Sequence, residues 1–315
     1  MKTKIFIDGS EGTTGLRIFE RFENRDDIEL LKISSDLRKD INERKRLINE
    51  SDITFLCLPD AAAIESVSLV ENENVRIIDT STAHRVSEGW AYGFPELSDK
   101  HYEAIKNGKR IAVPGCHASG FISVVYPLIA NNVMGSDYRA TAFSLTGYSG
   151  GGKKMIAEYE AERENVLLNA PREYALSQKH KHLKEMKAVT GLDREPLFSP
   201  IVADYYSGMV VSVPIYMDLL KSHNTLEELH RLYEKHYAGK EFIKVMPLGA
   251  EEEQGNMLSG AACSMYDGMR IYVTGNDDRV VVSAQYDNLG KGASGAAIEC
   301  LNIMLGCDAK LGLSL

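Results

Sequence analysis

The sequence predicts an α/β fold, with a doubly wound parallel sheet in the first part of the chain and an α+β region with a largely antiparallel sheet after it. Three observations carry that expectation. Over the first 130 or so residues short apolar runs alternate with segments of helical period, which is the pattern of parallel strands linked by crossover helices. From about residue 138 the apolar runs follow one another with few helices between them. A glycine-spaced turn, Gly9 to Gly15, separates the first strand from the first helix.

Residues 4–8 read as an apolar strand, and the helical pattern after the turn carries Leu16, Phe19 and Phe22. A second strand spans 28–34, and the charged segment 36–50 reads as its crossover helix. The third strand, 53–58, is ended by Pro59 and Asp60; a helix at 61–70 and a fourth strand at 75–79 follow. Another strand, 110–113, runs into Pro114-Gly115 and an apolar helical stretch at 121–130. Beyond it lie β-rich runs at 138–146, 209–217, 242–246, 269–274 and 280–286. His223, His230 and His236 fall in an amphipathic helical pattern that suggests a surface location. The glycine-rich run 290–295 opens a last apolar helix, 296–305, which is expected to pack back on the first domain. The division expected is therefore 1–115 with 288–315 as one domain and 116–287 as the other.

Composition narrows the functional classes. With 315 residues, 44% of them hydrophobic, the chain can bury two ordinary cores. A net charge of -9 without a basic stripe argues against nucleic-acid binding. No apolar run reaches membrane-spanning length and the first residues enter a strand directly, so a cytoplasmic protein is expected. Cys57, Cys116, Cys263, Cys300 and Cys307 are odd in number and include no CxxC pair, which argues against a disulfide framework and a thiolate zinc site. Four of them have apolar or helical neighbours and read as small buried hydrophobes.

Cys116 differs. It follows a strand and a Pro-Gly turn and begins a helix, where unpaired amides favour the thiolate and can also hold an oxyanion at an attacked carbon. Such a nucleophile needs a proton-transfer partner, and His84, His117, His180 and His182 are the candidates. His180 and His182 sit in a basic stretch that favours an anionic substrate; as a metal pair they lack a third ligand of suitable spacing, so no metal is expected. In the first turn, Gly9, Ser10, Gly12, Thr13, Thr14 and Gly15 suit a dinucleotide's pyrophosphate at a helix N-terminus. After the second strand, Ser34, Ser35, Arg38 and Lys39 suit a 2'-phosphate and favour NADP, although Asp36 keeps NAD open. The run 144–154 joins hydroxyls, glycines and two lysines in an anion cradle, and Arg85, leaving the fourth strand at its carboxyl edge, can grip a carboxylate or phosphate. These motifs read as a dinucleotide-binding domain followed by a catalytic domain.

Together with Gly93-Phe94-Pro95-Glu96-Leu97 and Asn288 to Gly295, they resemble N-acetyl-gamma-glutamyl-phosphate reductases, most closely the shorter form, in order and over nearly the whole chain. The wider relatives are aspartate-semialdehyde and glyceraldehyde-3-phosphate dehydrogenases. Where the longer form usually has an aromatic residue and Thr after the cysteine, this chain has His117 and Ser119. The resemblance implies NADPH-dependent reduction of N-acetyl-L-glutamyl 5-phosphate to the semialdehyde and phosphate through a Cys116 thioester, a step of arginine biosynthesis. It implies His180, or else His182, as the proton carrier, and Arg85, Ser149 and Lys153 as substrate contacts. Asn288 and Gly290 become contacts on the nicotinamide side, and the β-rich domain becomes the seat of a homodimer or homotetramer. A related acyl-phosphate reductase, with an aspartyl or amino-adipate-type substrate, is the nearest alternative. A thiol hydrolase would instead cleave esters without nucleotide, and a non-catalytic NADP-binding regulator would show no acylation of Cys116.

Overall fold

The computed structural model describes residues 2–23, 25–161, 165–222 and 225–315. They form two compact units: Met1–Pro114 with Ala293–Leu313, and Gly115–Gly292 with Ser314–Leu315.

In the first unit six parallel strands run in the order β2-β1-β3-β4-β6-β5, with β1 Thr3–Asp8, β2 Ile28–Leu31, β3 Ile53–Leu56, β4 Arg76–Asp79, β5 Ala91–Tyr92 and β6 Arg110–Ala112. The helices are α1 Thr13–Phe22, α2 Ile41–Glu50, α3 Asp60–Ser68 and α4 Asp99–Asn107. The order places two hydrophobic clusters on opposite faces of the sheet. Leu47 and Ile48 of α2 and Ala63 of α3 join Phe6, Leu56 and Ile77 on one. On the other, Ile18 and Phe22 of α1 and Ile105 of α4 join Ile5, Ile7, Phe55 and Ile78. The final helix lies in that second cluster through Ala297, Ile298, Leu301 and Ile303.

A buried ion pair closes the end of β1. Arg44 of α2, which is 7% exposed, donates to both carboxylate oxygens of Asp8, which is 4% exposed. The Arg44 Nη2 and Asp8 Oδ2 atoms are 3.1 Å apart. Ser66 of α3 donates to the same Oδ2 at 2.8 Å, and Arg44 also reaches Glu65 at 2.7 Å. One carboxylate thus ties β1, α2 and α3 together beneath the glycine turn. The segment read as a helix over 36–50 is shorter than expected, because residues 35–39 form a turn and Asp40 caps α2 by accepting from the Glu43 amide. The second strand likewise ends at Leu31 rather than 34.

The second unit contains α5 Cys116–Ala130, β7 Thr141–Gly147, α6 Gly152–Ala161, α7 Val166–Asn169, β8 Arg172–Glu173, α8 Leu183–Thr190, β9 Leu197–Ala203, β10 Met209–Tyr216, α9 Leu226–His236, β11 Ile243–Val245, β12 Met269–Gly275 and β13 Arg279–Tyr286. Its seven strands run in the order β11-β12-β13-β10-β7-β9-β8. Four of the six pairings are antiparallel, and β11-β12 and β7-β9 are parallel. The expected α/β plus α+β class is borne out. Three strands were not anticipated: β5 in the first unit, and in the second β8 and β9, whose Pro200 lies in register with Ser144. Pro200 has no N–H to donate, yet its carbonyl accepts from Tyr174, so the strand survives the proline.

Alternation along the strands turns Ser144, Phe198 and Tyr286 toward the face that carries α5. Gly120 lets that helix come close, because a Cβ there would lie 2.6 Å from Val211. Pro127 removes the helical bond to the Ser123 carbonyl, which accepts instead from Tyr237 at 2.6 Å. The expected surface location of the α9 histidines fails at His230, which is 7% exposed with Nε2 2.8 Å from the Met246 carbonyl. His223 lies outside the described residues. The chain's last helix is α10 Gly295–Leu305, entered through a π-helical turn, Gly290–Ser294.

Candidate active site

The first unit carries a cradle for an anion. Gly9 has φ +90°, and a Cβ there would sit 2.4 Å from the Cys57 carbonyl oxygen; one on Gly15 would sit 2.4 Å from the Gly9 oxygen. Glycine is therefore required at both positions for the β1 turn to pass β3 and for α1 to start against it. Gly12 is the N-cap of α1 and supplies no side chain, so the first-turn amides of Thr13, Thr14 and Gly15 have no side-chain cap. A dinucleotide's pyrophosphate fits such a helix start. Ser34, Ser35, Asp36, Arg38 and Lys39 are all exposed on the loop after β2, and Arg38 forms an ion pair with Glu11 of the turn.

At the carboxyl end of β4 a polar knot has formed. Asp79, fully buried, accepts from the Ser81 amide and hydroxyl at 2.8 Å each, and His84 Nδ1 lies 2.6 Å from its Oδ2. The His84 ring stacks on Trp90 with centroids 4.1 Å apart. Arg85 donates to the Val113 and Thr80 carbonyls at 2.9 and 3.2 Å, so part of its fork ties its own loop to the segment after β6.

The second unit holds the cysteine centre. Cys116 is the first residue of α5, and Gly115, its N-cap, offers no side-chain acceptor to the first turn. Glu185 Oε2 accepts the Gly115 amide at 3.1 Å, and Tyr286 donates to the Cys116 carbonyl while accepting from the Gly120 amide at 2.9 Å. The start of the helix is held from both sides. A Cβ on Gly292 would lie 3.0 Å from that of Cys116, so the glycine-rich turn passes close against this residue. No cysteine is in a disulfide. Burial pushes the Cys57 thiol up to about 12 and also raises Cys263 and Cys307, so these three are poor nucleophiles.

The histidines converge beside this helix start. His180 and His182 have ring centroids 4.6 Å apart, and both lie within 5.6 Å of His117. The His182 amide donates to His180 Nδ1 at 3.2 Å, which leaves the proton of a neutral His180 on Nε2. His117 is enclosed: Nδ1 lies 2.6 Å from Ser144 Oγ and Nε2 2.6 Å from the Tyr174 hydroxyl. Burial, with a smaller contribution from His180, lowers its pKa to about 3. An unfolded His117 protonates near its ordinary 6.5 while the folded one stays neutral, so stability is present above pH 6.5 and is lost as pH falls toward 3. His117→Gln is expected to remove up to about 1.4 kcal/mol per pH unit of that slope, read from urea unfolding across this window.

Ser149 and Asn288, separate in sequence, meet: Asn288 donates to Ser149 Oγ at 3.0 Å and accepts from the Gly208 amide at 2.8 Å. Gly290 is tightly packed, since a Cβ there would meet the Tyr266 carbonyl at 2.6 Å. Lys153 is exposed on the first turn of α6. Sequence reasoning assigned no role to Tyr174, Glu185, Tyr286 or Gly292. Glu185 had a local signal, three residues beyond His182 on one helix face, and Gly292 lies in the glycine-rich run; Tyr174 and Tyr286 had none. Among the described residues no group of three or more His, Cys, Asp or Glu side chains is placed to hold a metal ion, and no helix is long and apolar enough to cross a membrane.

Residues 4–105 match the family model described as semialdehyde dehydrogenase, NAD binding domain, and residues 116–288 match the semialdehyde dehydrogenase dimerisation domain. The class is therefore that of the semialdehyde dehydrogenases, oxidoreductases with a nicotinamide-dinucleotide domain. The fold agrees: aspartate-semialdehyde dehydrogenase II of Vibrio cholerae superposes with a TM-score of 0.73 at 13% identity, over 97% of this chain and 99% of that one. The enzyme of Francisella tularensis does so with a TM-score of 0.73 at 16% identity, over 96% and 100%. Within the class, N-acetyl-gamma-glutamyl-phosphate reductase 2 of a Nostoc species is 43% identical over 99% of both chains, and the reductase of a Chelativorans species is 45% identical over 97% of this chain and 99% of its own. The chain belongs to the N-acetyl-gamma-glutamyl-phosphate reductase family.

Proposed function

We propose that the protein reduces N-acetyl-L-glutamyl 5-phosphate to N-acetyl-L-glutamate 5-semialdehyde and phosphate with NADPH, in the cytoplasm, as a step of arginine biosynthesis. The observation that carries this reading is Cys116 at the uncapped start of α5, with the His180 and His182 rings gathered against His117, the next residue of that helix. The Cys116 thiolate forms an S–C bond to the acyl carbon, and phosphate departs with the electrons of the broken C–O bond. The α5 amides hold the oxyanion that develops on the acyl oxygen. A bound reduced nicotinamide supplies the hydride for the resulting thioester. The thiohemiacetal oxyanion then expels Cys116 as thiolate and leaves the aldehyde. His180 is the first choice for carrying the proton to the leaving phosphate and His182 the second, because the His182 amide orients the His180 ring.

Gly9, Ser10, Gly12, Thr13, Thr14 and Gly15 are assigned to the dinucleotide's pyrophosphate, and Ser34 with Arg38 to the 2'-phosphate that would distinguish NADP. Asn288 and Gly290 are assigned to the nicotinamide side, and Ser149, Lys153 and Arg85 to the substrate's anionic groups. A homodimer or homotetramer is supported by the outer face of the second sheet, where Phe143, Leu197, Tyr216 and Val281 share one side and are 39–58% exposed. The deciding assay presents the semialdehydes of N-acetylglutamate, aspartate and an amino-adipate derivative side by side with phosphate and NADP or NAD. Reduced-nicotinamide absorbance should rise at least about tenfold faster with the first and with NADP. A faster reaction with either of the others would reassign the substrate.

A further inference from the structure

In the turn after β7 one buried hydroxyl keeps a proton that the protein does not use. Ser149 is 1% exposed, its amide donates to the Tyr206 carbonyl at 3.0 Å and its Oγ accepts from Asn288 Nδ2 at 3.0 Å; among the described residues nothing accepts its own proton. Asn288, also 1% exposed, makes that bond in one orientation only. Its Oδ1 accepts from the Gly208 amide at 2.8 Å, and a flipped side-chain amide would set two donors against each other. The space beside Ser149 is open and polar. Gly150 is exposed, and a Cβ there would meet only Asn288 Nδ2 at 3.4 Å and Thr146 Oγ1 at 3.9 Å, while α6 starts two residues further on, at Gly152. The nucleophile's helix start adjoins the same turn. A Cβ on Gly292 would lie 3.0 Å from the Cys116 Cβ and 3.2 Å from the Asp287 carbonyl oxygen, so the residue before Asn288 and the cysteine crowd one point.

Resting on the acyl-phosphate reading of the reaction, we propose that Asn288 is a positioning residue for Ser149: it occupies the acceptor side of the hydroxyl and turns the Oγ–H toward the space over Gly150, where it donates to the phosphate that the reaction releases. Ser149 touches the leaving group, and Asn288 acts through it. The nearby carbonyls do not compete for the proton, because those of Tyr205 and Tyr206 already accept from the Tyr148 and Ser149 amides. A phosphate oxygen is the stronger acceptor, since a hydrogen bond to an anion is charge-assisted, and a donor fixed in advance needs no reorganisation when phosphate leaves. This role takes one of the two Nδ2 hydrogens of Asn288 and leaves the other for the nicotinamide side. The run 144–154 thus supplies the hydroxyl of its anion cradle, and a residue 139 positions away aims it.

The test follows inorganic phosphate. Its dissociation constant from the cofactor-free protein, read by phosphorus NMR titration, and its KM in semialdehyde oxidation are measured for the wild type, Asn288→Ala, Ser149→Ala and the double variant. Each single change should weaken phosphate by about tenfold in both constants, the loss expected for one hydrogen bond to a charged group. The double variant should lose no more than Ser149→Ala alone, because both changes remove one donor. Phosphate constants of Asn288→Ala equal to the wild type's would overturn the proposal, as would losses that multiply in the double variant or a change confined to dinucleotide affinity. Should Asn288→Ala fold poorly, Asn288→Asp decides, since it keeps an acceptor for Gly208 and loses the donor to Ser149. Its loss should be smaller when residue 149 is already alanine, and an equal loss in both backgrounds would overturn the proposal. If the wild type oxidises no semialdehyde with phosphate, the acyl-phosphate reading fails by itself, and the affinities of the cofactor-free variants still decide the role of Asn288.

Discussion

Cys116→Ser is expected to lower the rate of phosphate-dependent semialdehyde oxidation by at least about 10⁴-fold, the order of loss seen when a covalent nucleophile is removed. Serine fills nearly the same volume, so the contact with Gly292 and the hold of Glu185 and Tyr286 on the helix start are retained. Its hydroxyl, however, does not ionise in the range where a helix N-terminus brings a thiol to thiolate. Dinucleotide affinity, measured by calorimetry, should stay within about twofold of the wild type, since the Gly9 to Gly15 cradle is built wholly within the first unit. Incubation with acyl phosphate should add an acyl mass to the wild type and none to the variant. Turnover above about 1% of the wild type would remove Cys116 from its assigned role.

Replacing Arg44 with methionine is expected to cost about 3–5 kcal/mol, the range for breaking a buried ion pair from one side. Asp8 would keep only the Ser66 hydroxyl among the partners described for its side chain, in a setting where it is 4% exposed. Methionine fills much of the volume of the arginine stem, so the loss reads the orphaned carboxylate more than a cavity. Against a total stability of roughly 5–15 kcal/mol this is a large share, and the melting temperature should fall by roughly 10 °C. Adding Asp8→Asn should restore part of the loss. A single variant within about 1 kcal/mol of the wild type in urea unfolding would show that the pair is not what secures β1 to α2.

Much of this architecture was legible because its causes are local. Apolar period, glycine spacing and Pro-Gly punctuation depend on neighbours along the chain, and they located β1, the α1 start and the Cys116 helix start. The limits of elements were less legible where capping chemistry competed with charge pattern. Asp40 begins α2 by binding the Glu43 amide; its acidic residue three positions on, where Asp36 has Lys39, was the local signal that the longer charge pattern obscured. Pro200 hid β9, since a proline reads as a strand breaker until a neighbouring strand is seen to need only its carbonyl.

For Cys116 itself, the chain alone predicted its helix start and singled out histidines as candidate partners, because the electrostatic setting of a helix N-terminus is encoded by the few residues around it. Which groups meet Cys116 and His117 at the helix start was decided only by folding. Tyr174 lies 58 residues away, Gly292 is 176 away and Tyr286 is 170 away. Sheet register and the close approach of α5 at Gly120 bring them together. The same packing separated His117 from His180, two imidazoles that are chemically equal in the sequence. One is sealed between two hydroxyls and kept neutral, and the other is only partly buried, with its ring nitrogen set by a backbone amide.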